Sequence, residues 1–368
     1  MGAAGGGRRS GRLPCFTGRV GSLGTPLLAL VFVAGCVVTW VAGVYLSRST
    51  DALDVRFKLG EALGGLILLA IAGTLPEIAI TVSAASSGHY GLAVGNLIGG
   101  VAVQTLVLVI LDASSGRSKP PLSFLVGSLV PVIEALMVVC VLGTALGGAA
   151  LPASTNFHGA SPTSIAAVAL WVVGVWIVNR VRLDPSWRVL APKSTPGRLH
   201  VRQPDPSGAH PYARSRTFRV IAIFVAGSVA TLIAGVSLQD SGNLLAGRLG
   251  IQGAVFGATF LALATALPEI SSGIAAVRLG DIQLAVGDIL GGNSFQITLL
   301  LVADLIAGTP VIVAAHKSDV WLGATGILMT GVAAVAIIAR PERKILWLGL
   351  DSILLCVIYA LAIVFLPS

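Results

Sequence analysis

The tetrapeptide Leu75-Pro76-Glu77-Ile78 occurs twice in this chain, because residues 267–270 read Leu267-Pro268-Glu269-Ile270. The copies are 192 residues apart, and the match continues downstream without a gap. Its further glycine and polar pairs are Gly95/Gly287, Gly99/Gly291, Gly100/Gly292, Gln104/Gln296 and Asp112/Asp304. Chance similarity between apolar segments would pair Leu, Ala and Val, and would rarely align two Glu, two Pro, two Gln and two Asp. The match therefore predicts an internal repeat.

Composition places this repeat in a membrane. Of the 368 residues, 55% are hydrophobic and only 11% are charged, whereas soluble domains carry about 25% charged residues. Apolar stretches long enough to span a bilayer as helices recur along the whole length, and their residues do not alternate as barrel strands do. Because helices satisfy their own backbone in lipid, the sequence predicts an all-α polytopic membrane protein.

The hydropathy pattern predicts ten transmembrane helices, five on each side of a polar Pro-rich and Arg-rich segment. The predicted spans are 25–47, 59–86, 90–112, 122–146, 163–180, 220–238, 251–278, 282–308, 319–339 and 345–366. The domains that follow are a disordered basic tail (1–24), a first five-helix repeat (25–180), a cytoplasmic linker (181–219) and a second five-helix repeat (220–368).

The matching copies lie in spans 2–3 and 7–8, five spans apart. Because five is odd, the copies enter the membrane from opposite sides, so the sequence predicts two inverted repeats. Secondary transporters built in this way bind their substrate near the bilayer midplane where the repeats meet.

Loop charges predict the orientation. Eighteen of the 24 Lys and Arg residues fall on the side of the central linker, which puts the linker in the cytoplasm and both termini outside. The net charge of +8 therefore reflects topology, and we expect the lipid bilayer and cations, not nucleic acid, as partners. The oligomeric state stays open, a monomer included. The Arg, Ala and Gly usage is typical of a GC-rich bacterium, so we expect the plasma membrane.

Glu77 and Glu269 are the main candidates for a cation site. An ionised carboxylate near the centre of an apolar span costs at least a few kcal/mol unless it is paired or solvated. The preceding Pro76 and Pro268 each free a backbone carbonyl one turn earlier. Carboxylates beside free carbonyls form an all-oxygen site, which suits a hard cation such as Ca²⁺. The alternative is that each Glu is protonated and bonded to a neighbouring helix.

Other polar residues lie near this pair. Gln104 and Gln296, each 27 residues after its Glu, could ligate a cation or form interhelical hydrogen bonds. Thr74 and Thr265 could ligate or cap a helix.

A second group has less defined roles. Asp288 replaces Asn96 of the first copy and could be a proton or ion relay or a structural partner, with Asn293 nearby as a polar contact. Glu134 is either functional or paired. Asp112 and Asp304 lie near span ends, where we expect water or headgroups to solvate them.

These residues resemble the calcium/cation antiporter superfamily, which includes sodium/calcium and proton/calcium exchangers. The family is marked by two repeats of the form G-T-S-L-P-E followed by G-N-x-x-G-S-N. This chain has Gly73-Thr74-Leu75-Pro76-Glu77 with Gly95-Asn96-Leu97-Ile98-Gly99-Gly100, and Thr265-Ala266-Leu267-Pro268-Glu269 with Gly287-Asp288-Ile289-Leu290-Gly291-Gly292-Asn293. The resemblance implies ten spans in two inverted halves, with Glu77 and Glu269 coordinating calcium.

This chain also departs from that pattern. Ala266 lacks the serine hydroxyl of the family motif, and Gly100 and Gly292 stand where sodium/calcium exchangers often have a serine ligand. Gln104 and Gln296 stand where those exchangers have Asn or Asp. The segment 293–297 is more similar to proton/calcium exchangers, which carry Gln there. The resemblance therefore leaves the coupling ion open.

The sequence as a whole predicts a secondary antiporter that exchanges Ca²⁺, or a similar cation, for H⁺ or Na⁺ by alternating access. Spans 1 and 6 would slide or rock against the rest. The transported ions are its substrates, and we expect no cofactor and no enzymatic activity, because the chain has no Ser–His or HExxH arrangement. The alternatives are a monovalent cation/proton antiporter on the same scaffold and a cation channel.

Overall fold

The computed structural model describes residues 23–57, 71, 73–117, 119–183, 215–251, 256–345 and 347–367, and these are almost entirely helical. The α-helices are α1 (Thr25–Phe57), α2 (Leu75–Ser86), α3 (Tyr90–Ser114), α4 (Leu122–Leu125), α5 (Val130–Gly148), α6 (Pro162–Leu183), α7 (Thr217–Leu249), α8 (Ala262–Thr265), α9 (Leu267–Leu279), α10 (Ile282–Ala307), α11 (Lys317–Ala339) and α12 (Leu350–Val364). A π-helical segment (Gly257–Leu261) precedes α8, a 3₁₀ helix (Val311–Ala314) precedes α11, and a short hairpin of β1 (Lys344–Ile345) and β2 (Leu348–Gly349) precedes α12.

The predicted all-α membrane fold is confirmed. Among the described residues, seven helices are long and apolar enough to cross a bilayer, and the bent pair Thr259–Thr265 and Leu267–Arg278 makes an eighth span if it crosses as one. Two further apolar helices, α2 and α12, have 12 and 15 residues, fewer than the roughly 20 that a full crossing needs. The count of ten therefore stays a prediction.

Three predicted regions lie wholly or mainly outside the described residues. These are the basic tail, the first part of span 2 and most of the central linker, at residues 1–22, 58–70 and 184–214.

The helix boundaries repeat at the same offset as the sequence. Helices α1, α2 and α3 begin at residues 25, 75 and 90, and α7, α9 and α10 begin at 217, 267 and 282, so each pair differs by 192. Helices α1 and α7 each contain 33 residues, which makes them roughly 50 Å long at 1.5 Å per residue. The structural repeat therefore includes the first long helix of each half, where the sequence match is weak.

The two long helices α1 and α7 pack against each other and run antiparallel. At the end of α1, the Arg56 guanidinium donates to the carbonyl of Ser215, at 2.6 Å, and to Thr217 Oγ1, at 3.0 Å. At the end of α7, Arg248 donates to the carbonyl of Leu23, at 2.7 Å. Each Arg thus fastens the C-terminal end of its own helix to the beginning of the other. An antiparallel pair is what inverted repeats require at this position, and the inversion of the complete halves stays a prediction.

Prolines explain where the helices that carry the repeated motif begin. Thr74 and Ala266, the residues before α2 and α9, have nearly the same backbone angles, with φ −86° and ψ 12° in one and φ −79° and ψ 2° in the other. Pro76 and Pro268 follow in the first turn, where a missing N–H leaves no hydrogen bond unmade. Each motif therefore interrupts its span and starts a new helix at its leucine, with the glutamate in the first turn.

Two of the predicted spans differ from the structure. The predicted span 122–146 is divided into α4 and α5, because Val126 is extended and Pro131 occupies the first turn of the second helix, where proline is tolerated. The predicted span 345–366 begins instead with the β1–β2 hairpin, and its helix starts at Leu350.

The prediction that water or headgroups solvate Asp112 is wrong. Its side chain is buried, and its carboxylate accepts hydrogen bonds from the backbone N–H groups of Leu122, at 2.8 Å, and Gly349, at 2.7 Å. The Lys344 ammonium lies 3.0 Å from it. Asp112 therefore joins the end of α3 to two later segments.

The same prediction is wrong for Asp304. This carboxylate is fully buried and accepts from the N–H groups of Ser161, at 2.9 Å, and Val311, at 2.7 Å. Both aspartates end a core helix and satisfy backbone donors that burial would otherwise leave unpaired, which explains why the repeat retains an acid at each place.

We predict that Lys344→Met lowers the melting temperature of the purified protein, because it leaves the buried Asp112 carboxylate without its cation, a loss of about 3–5 kcal/mol in known cases. Thermal unfolding in detergent measures the effect. The double variant Lys344→Met/Asp112→Asn, which also removes the charge, should recover part of the loss. A single variant as stable as the parent would show that the pair contributes nothing.

Candidate cation site

The two glutamates of the repeated motif occupy matching places in the structure. Glu77 is the third residue of α2 and Glu269 the third residue of α9, and their side chains are only 1% and 4% exposed. In the first turn of a helix, the aligned peptide dipoles favour a negative charge. Pro76 and Pro268 set this register, because each is the second residue of its helix and directly precedes the acid.

The two carboxylates are close enough to act on each other. Glu269 experiences the negative charges of both Glu77 and Asp288. The Oε2 atoms of Glu77 and Glu269 are both buried and have no hydrogen-bond partner among the described residues. Two like charges with unpaired oxygens inside an apolar bundle require a compensating cation or protons.

Each glutamate faces the other repeat. The Thr265 side chain, which lies just before α9, is close enough to interact with the Glu77 carboxylate on α2, while its hydroxyl donates to the carbonyl of Ala262 at 3.1 Å. At the matching place before α2 stands Gly73, and a Cβ there would lie 3.7 Å from Oε1 of Glu269. Residues 73 and 265 are 192 positions apart, so the contacts form a matched cross-repeat pair. The sequence identified Thr265 as a candidate, but not Gly73, whose contribution is the space left by its missing side chain.

The two glutamines do not have matching contacts. Gln104 on α3 donates from Nε2 to Oε1 of Glu77 at 3.2 Å. Gln296 on α10 donates instead to the carbonyls of Leu97, at 2.8 Å, and Asn96, at 3.2 Å. Its own Oε1 is buried and has no hydrogen-bond partner among the described residues. Only Gln104 therefore touches a motif glutamate, whereas Gln296 joins α10 to α3.

The two asparagines also contact different groups. Asn96 donates to the backbone carbonyl of Glu77 at 3.4 Å. Asn293 donates to the Thr105 hydroxyl at 3.2 Å, while its buried Oδ1 has no hydrogen-bond partner in the part of the chain that the structure describes.

Asp288 and Glu134 lie beside the second half of the site. Asp288 on α10 accepts from the Ser272 hydroxyl at 2.8 Å. Ser272 lies on α9, one turn after Glu269. Glu134 on α5 is 2% exposed, and its Oε2 would lie 3.1 Å from a Cβ at Gly287. Glu134 thus packs against the residue before Asp288.

A related contact in the first repeat was missed by sequence reasoning. A Cβ at Gly95 would lie 3.1 Å from Oδ1 of Asp319, which is buried in the first turn of α11. The repeated Gly95/Gly287 pair was the available signal, since each glycine admits a carboxylate from a distant helix.

Thr74 is buried, and its hydroxyl lies 3.4 Å from the carbonyl of Ile71, which is a local contact. The structure shows no side-chain cap from Thr74 on α2.

The arrangement is rich in acceptor oxygens. Among the described residues, the buried side-chain oxygens without hydrogen-bond partners include Glu77 Oε2, Glu269 Oε2, Asn293 Oδ1 and Gln296 Oε1. Carboxylate and amide oxygens are ligands that Ca²⁺ prefers. No group of three or more His, Cys, Asp or Glu side chains within the described ranges is arranged to hold a metal ion, so amide, hydroxyl or backbone oxygens would have to complete the coordination.

Comparison with known proteins relates this chain to one protein family. A model of the sodium/calcium exchanger protein family matches residues 27–179 and 219–366. The inner membrane protein YrbG of Escherichia coli K12 is 23% identical over 302 residues, covering 80% of this chain and 82% of YrbG.

Two kinds of solved exchanger share the fold. The sodium-calcium exchanger NCX_Mj has a TM-score of 0.60 and 17% identity, over 94% of this chain and 100% of that one. The H⁺/Ca²⁺ exchanger CAX has a TM-score of 0.62 and 14% identity, over 93% of this chain and 82% of that one.

We predict that Glu77→Gln raises the melting temperature of the protein in alkaline buffer that contains a chelator. The substitution removes one of two neighbouring buried charges and keeps the shape of the side chain. Thermal unfolding in detergent provides the measurement, and Glu342→Gln, which changes an exposed loop carboxylate, is the matched control. Equal shifts in the two variants would contradict the electrostatic conflict at the site.

Proposed function

This chain belongs to the sodium/calcium exchanger protein family, and we propose on that basis that it is a cation antiporter that moves Ca²⁺ across the membrane in exchange for H⁺. The observation that carries the proposal is the cross-repeat pair of buried glutamates. Their ionised carboxylates together supply two negative charges, which one dication neutralises. Gln104, Thr265 and the other acceptor oxygens described above would complete the coordination.

The choice of H⁺ as counter-ion follows from how few ligands a proton needs. A proton binds directly to one carboxylate oxygen, so Glu77 and Glu269 could take up two protons as Ca²⁺ leaves. Na⁺ needs several oxygen ligands for each ion, and Gly100, Gly292 and Ala266 provide no side-chain oxygen where the related exchangers have serine. Na⁺ coupling is the alternative that the experiment below separates.

Exchange requires that the site open to each side in turn. The long helices α1 and α7 pack against each other and against the motif helices α9 and α2. We infer that this long-helix pair moves relative to the four core helices α2, α3, α9 and α10, exposing the glutamates first to one side and then to the other. The charge of the loaded site stays near zero during this movement, which keeps the cost of crossing the apolar interior low.

We place the protein in a bacterial plasma membrane with both termini outside and the central linker in the cytoplasm, as the loop charges indicate. In a variant without native cysteines, Ser154→Cys, in the loop after α5, should react with an impermeant maleimide added to intact cells. Glu342→Cys, in the loop after α11, should react only after permeabilisation. The reverse labelling pattern would invert the proposed orientation.

The function is tested by Ca²⁺ uptake into proteoliposomes. We expect an outward H⁺ gradient to drive uptake and an outward Na⁺ gradient not to do so. Glu77→Gln and Glu269→Gln should each reduce uptake to the level of empty liposomes, because one remaining carboxylate cannot neutralise a dication in a buried site. Glu342→Gln should transport at the parental rate.

Each other outcome has a defined meaning. Uptake driven by Na⁺ alone would replace the counter-ion, and transport by Glu77→Gln at the parental rate would remove the site assignment. Movement of only monovalent cations, with no competition by Ca²⁺, would favour a monovalent cation/proton antiporter. Ca²⁺ flux without any coupled counter-flux would indicate a channel.

A further inference from the structure

Two glycines on the long helices press against the prolines of the repeated motif. A Cβ at Gly43 on α1 would lie 2.6 Å from the Cα of Pro268, and a Cβ at Gly235 on α7 would lie 3.1 Å from the Cα of Pro76. Positions 43 and 235 differ by 192, as the two prolines do. The structure therefore contains the same glycine–proline contact twice, each time between a long helix of one repeat and the motif of the other.

This contact lies directly behind the candidate site. Pro268 immediately precedes Glu269, whose Oε1 would lie 3.7 Å from a Cβ at Gly73. Pro76 likewise precedes Glu77, whose carboxylate interacts with the Thr265 side chain. The beginning of each motif helix thus has two contacts with the opposite repeat. Its proline contacts a glycine of the long helix, and its glutamate lies beside a residue that precedes the other motif helix. A larger side chain in place of the glycine would displace the proline and, with it, the neighbouring glutamate.

We propose that Gly43 and Gly235 are positioning residues, which set the separation of the Glu77 and Glu269 carboxylates and thereby the size of cation that the site accepts. The proposal rests on the proposed function, since it assumes that these carboxylates hold the transported ion. It adds two residues that touch no ion and carry no polar side chain.

The expected shift is large compared with the tolerance of a cation site. Carbon atoms of neighbouring helices rest about 3.5–4.0 Å apart, so a methyl group at Gly43 requires a displacement on the order of 1 Å. The atom that it meets is backbone, so no side-chain rotation relieves the contact. Ca²⁺ takes oxygens at about 2.3–2.6 Å and Mg²⁺ at about 2.0–2.1 Å, so a few tenths of an ångström separate one dication from another.

The direction of the shift follows from the geometry. Because α1 contacts Pro268 while the Glu269 carboxylate lies beside Gly73, we expect the added methyl group to push Pro268 and Glu269 away from α1 and toward Gly73. The site becomes narrower, and larger dications should be excluded before smaller ones. Gly235→Ala should act in the same sense on Glu77, but less, since its contact is looser, at 3.1 Å against 2.6 Å.

The chain supplies two matched control positions on the same long helices. A Cβ at Gly35 would meet Cδ2 of Leu238 at 2.9 Å, and one at Gly227 would meet Cγ of Leu46 at 3.1 Å. These distances, 2.9 and 3.1 Å, are similar to the 2.6 and 3.1 Å of the glycine–proline contacts. The control contacts, however, join α1 to α7 and not to a motif helix. The atoms met belong to flexible side chains. Gly35→Ala and Gly227→Ala therefore crowd the long-helix pair without pushing on a glutamate.

The experiment measures cation selectivity in proteoliposomes, using Mg²⁺, Ca²⁺, Sr²⁺ and Ba²⁺ one at a time and in competition with Ca²⁺. In Gly43→Ala we expect the Ba²⁺-to-Ca²⁺ uptake ratio to fall at least about fivefold, as fits a site narrowed toward smaller ions. Gly235→Ala should show a smaller fall, and Gly35→Ala and Gly227→Ala should keep the parental ratio. A loss that is merely structural would lower uptake of all four ions together and leave the ratio unchanged.

Parental selectivity in both Gly43→Ala and Gly235→Ala, or the same change in Gly35→Ala, would overturn the proposal. If Gly43→Ala does not fold, the milder Gly235→Ala decides. The proposed function fails in a different way, by the absence of divalent transport in the parent protein. If the parent carries only monovalent cations, the positioning proposal is judged by the Li⁺, Na⁺ and K⁺ ratios in the same variants.

Discussion

Two buried carboxylates that lie near each other inside an apolar helical bundle constrain the rest of the structure. Neither Glu77 nor Glu269 has a cationic side chain beside it in the described structure, and each has an unpaired oxygen. Such a pair is tolerable only when something else supplies positive charge. The protein therefore surrounds the pair with helix N-termini, a threonine hydroxyl and a glutamine amide. A pair built in this way is unstable when empty and ionised, and that instability is a driving force for binding a cation or protons.

The repeat distributes this strain over two matching halves. Each Leu-Pro-Glu motif forms the beginning of a helix, with the acid as its third residue, and each glutamate faces the opposite repeat. Each proline contacts a glycine on the long helix of the opposite repeat. The long helices α1 and α7 are fastened at both ends by Arg56 and Arg248. A change in the position of the long-helix pair is thus transmitted to both glutamates through the same kind of contact. The Gly43–Pro268 and Gly235–Pro76 contacts are of one kind, as the proposed exposure of the site to each side of the membrane in turn would require.

The halves are not identical where the chemistry takes place. Gln104 donates to a motif glutamate, whereas Gln296 donates to backbone carbonyls of α3. Asn96 in the first half corresponds to the acid Asp288 in the second, so a further carboxylate lies near Glu269. The two glutamates are therefore chemically distinct, and a cation or proton would bind them with unequal strength.

The sequence by itself determined the fold class, the repeat and the identity of the central acids. These followed from strong local signals, since apolar length specifies a membrane helix and a duplicated Leu-Pro-Glu is improbable by chance. It also identified Thr265 and Gln104, which do touch Glu77. It was wrong about Asp112 and Asp304, because the backbone donors that they satisfy lie on segments up to 237 residues away and no local pattern reveals them. The sequence analysis also missed the division between α4 and α5. Hydropathy does not reveal a proline that begins a helix within an apolar stretch.

Only the tertiary structure decided which groups meet. It placed Glu77 against Thr265 and Glu269 against Gly73, separated the contacts of the two glutamines, and put Glu134 beside Gly287 and Gly43 behind Pro268. A glycine shows in sequence only that a side chain is missing, and what occupies the vacated space depends on how helices far apart in the chain pack together. Sequence periodicity is a property of one helix, whereas a cation site is a property of the gap between several. The chain's order of residues therefore specified the chemical groups, and the packing of the two repeats specified their geometry.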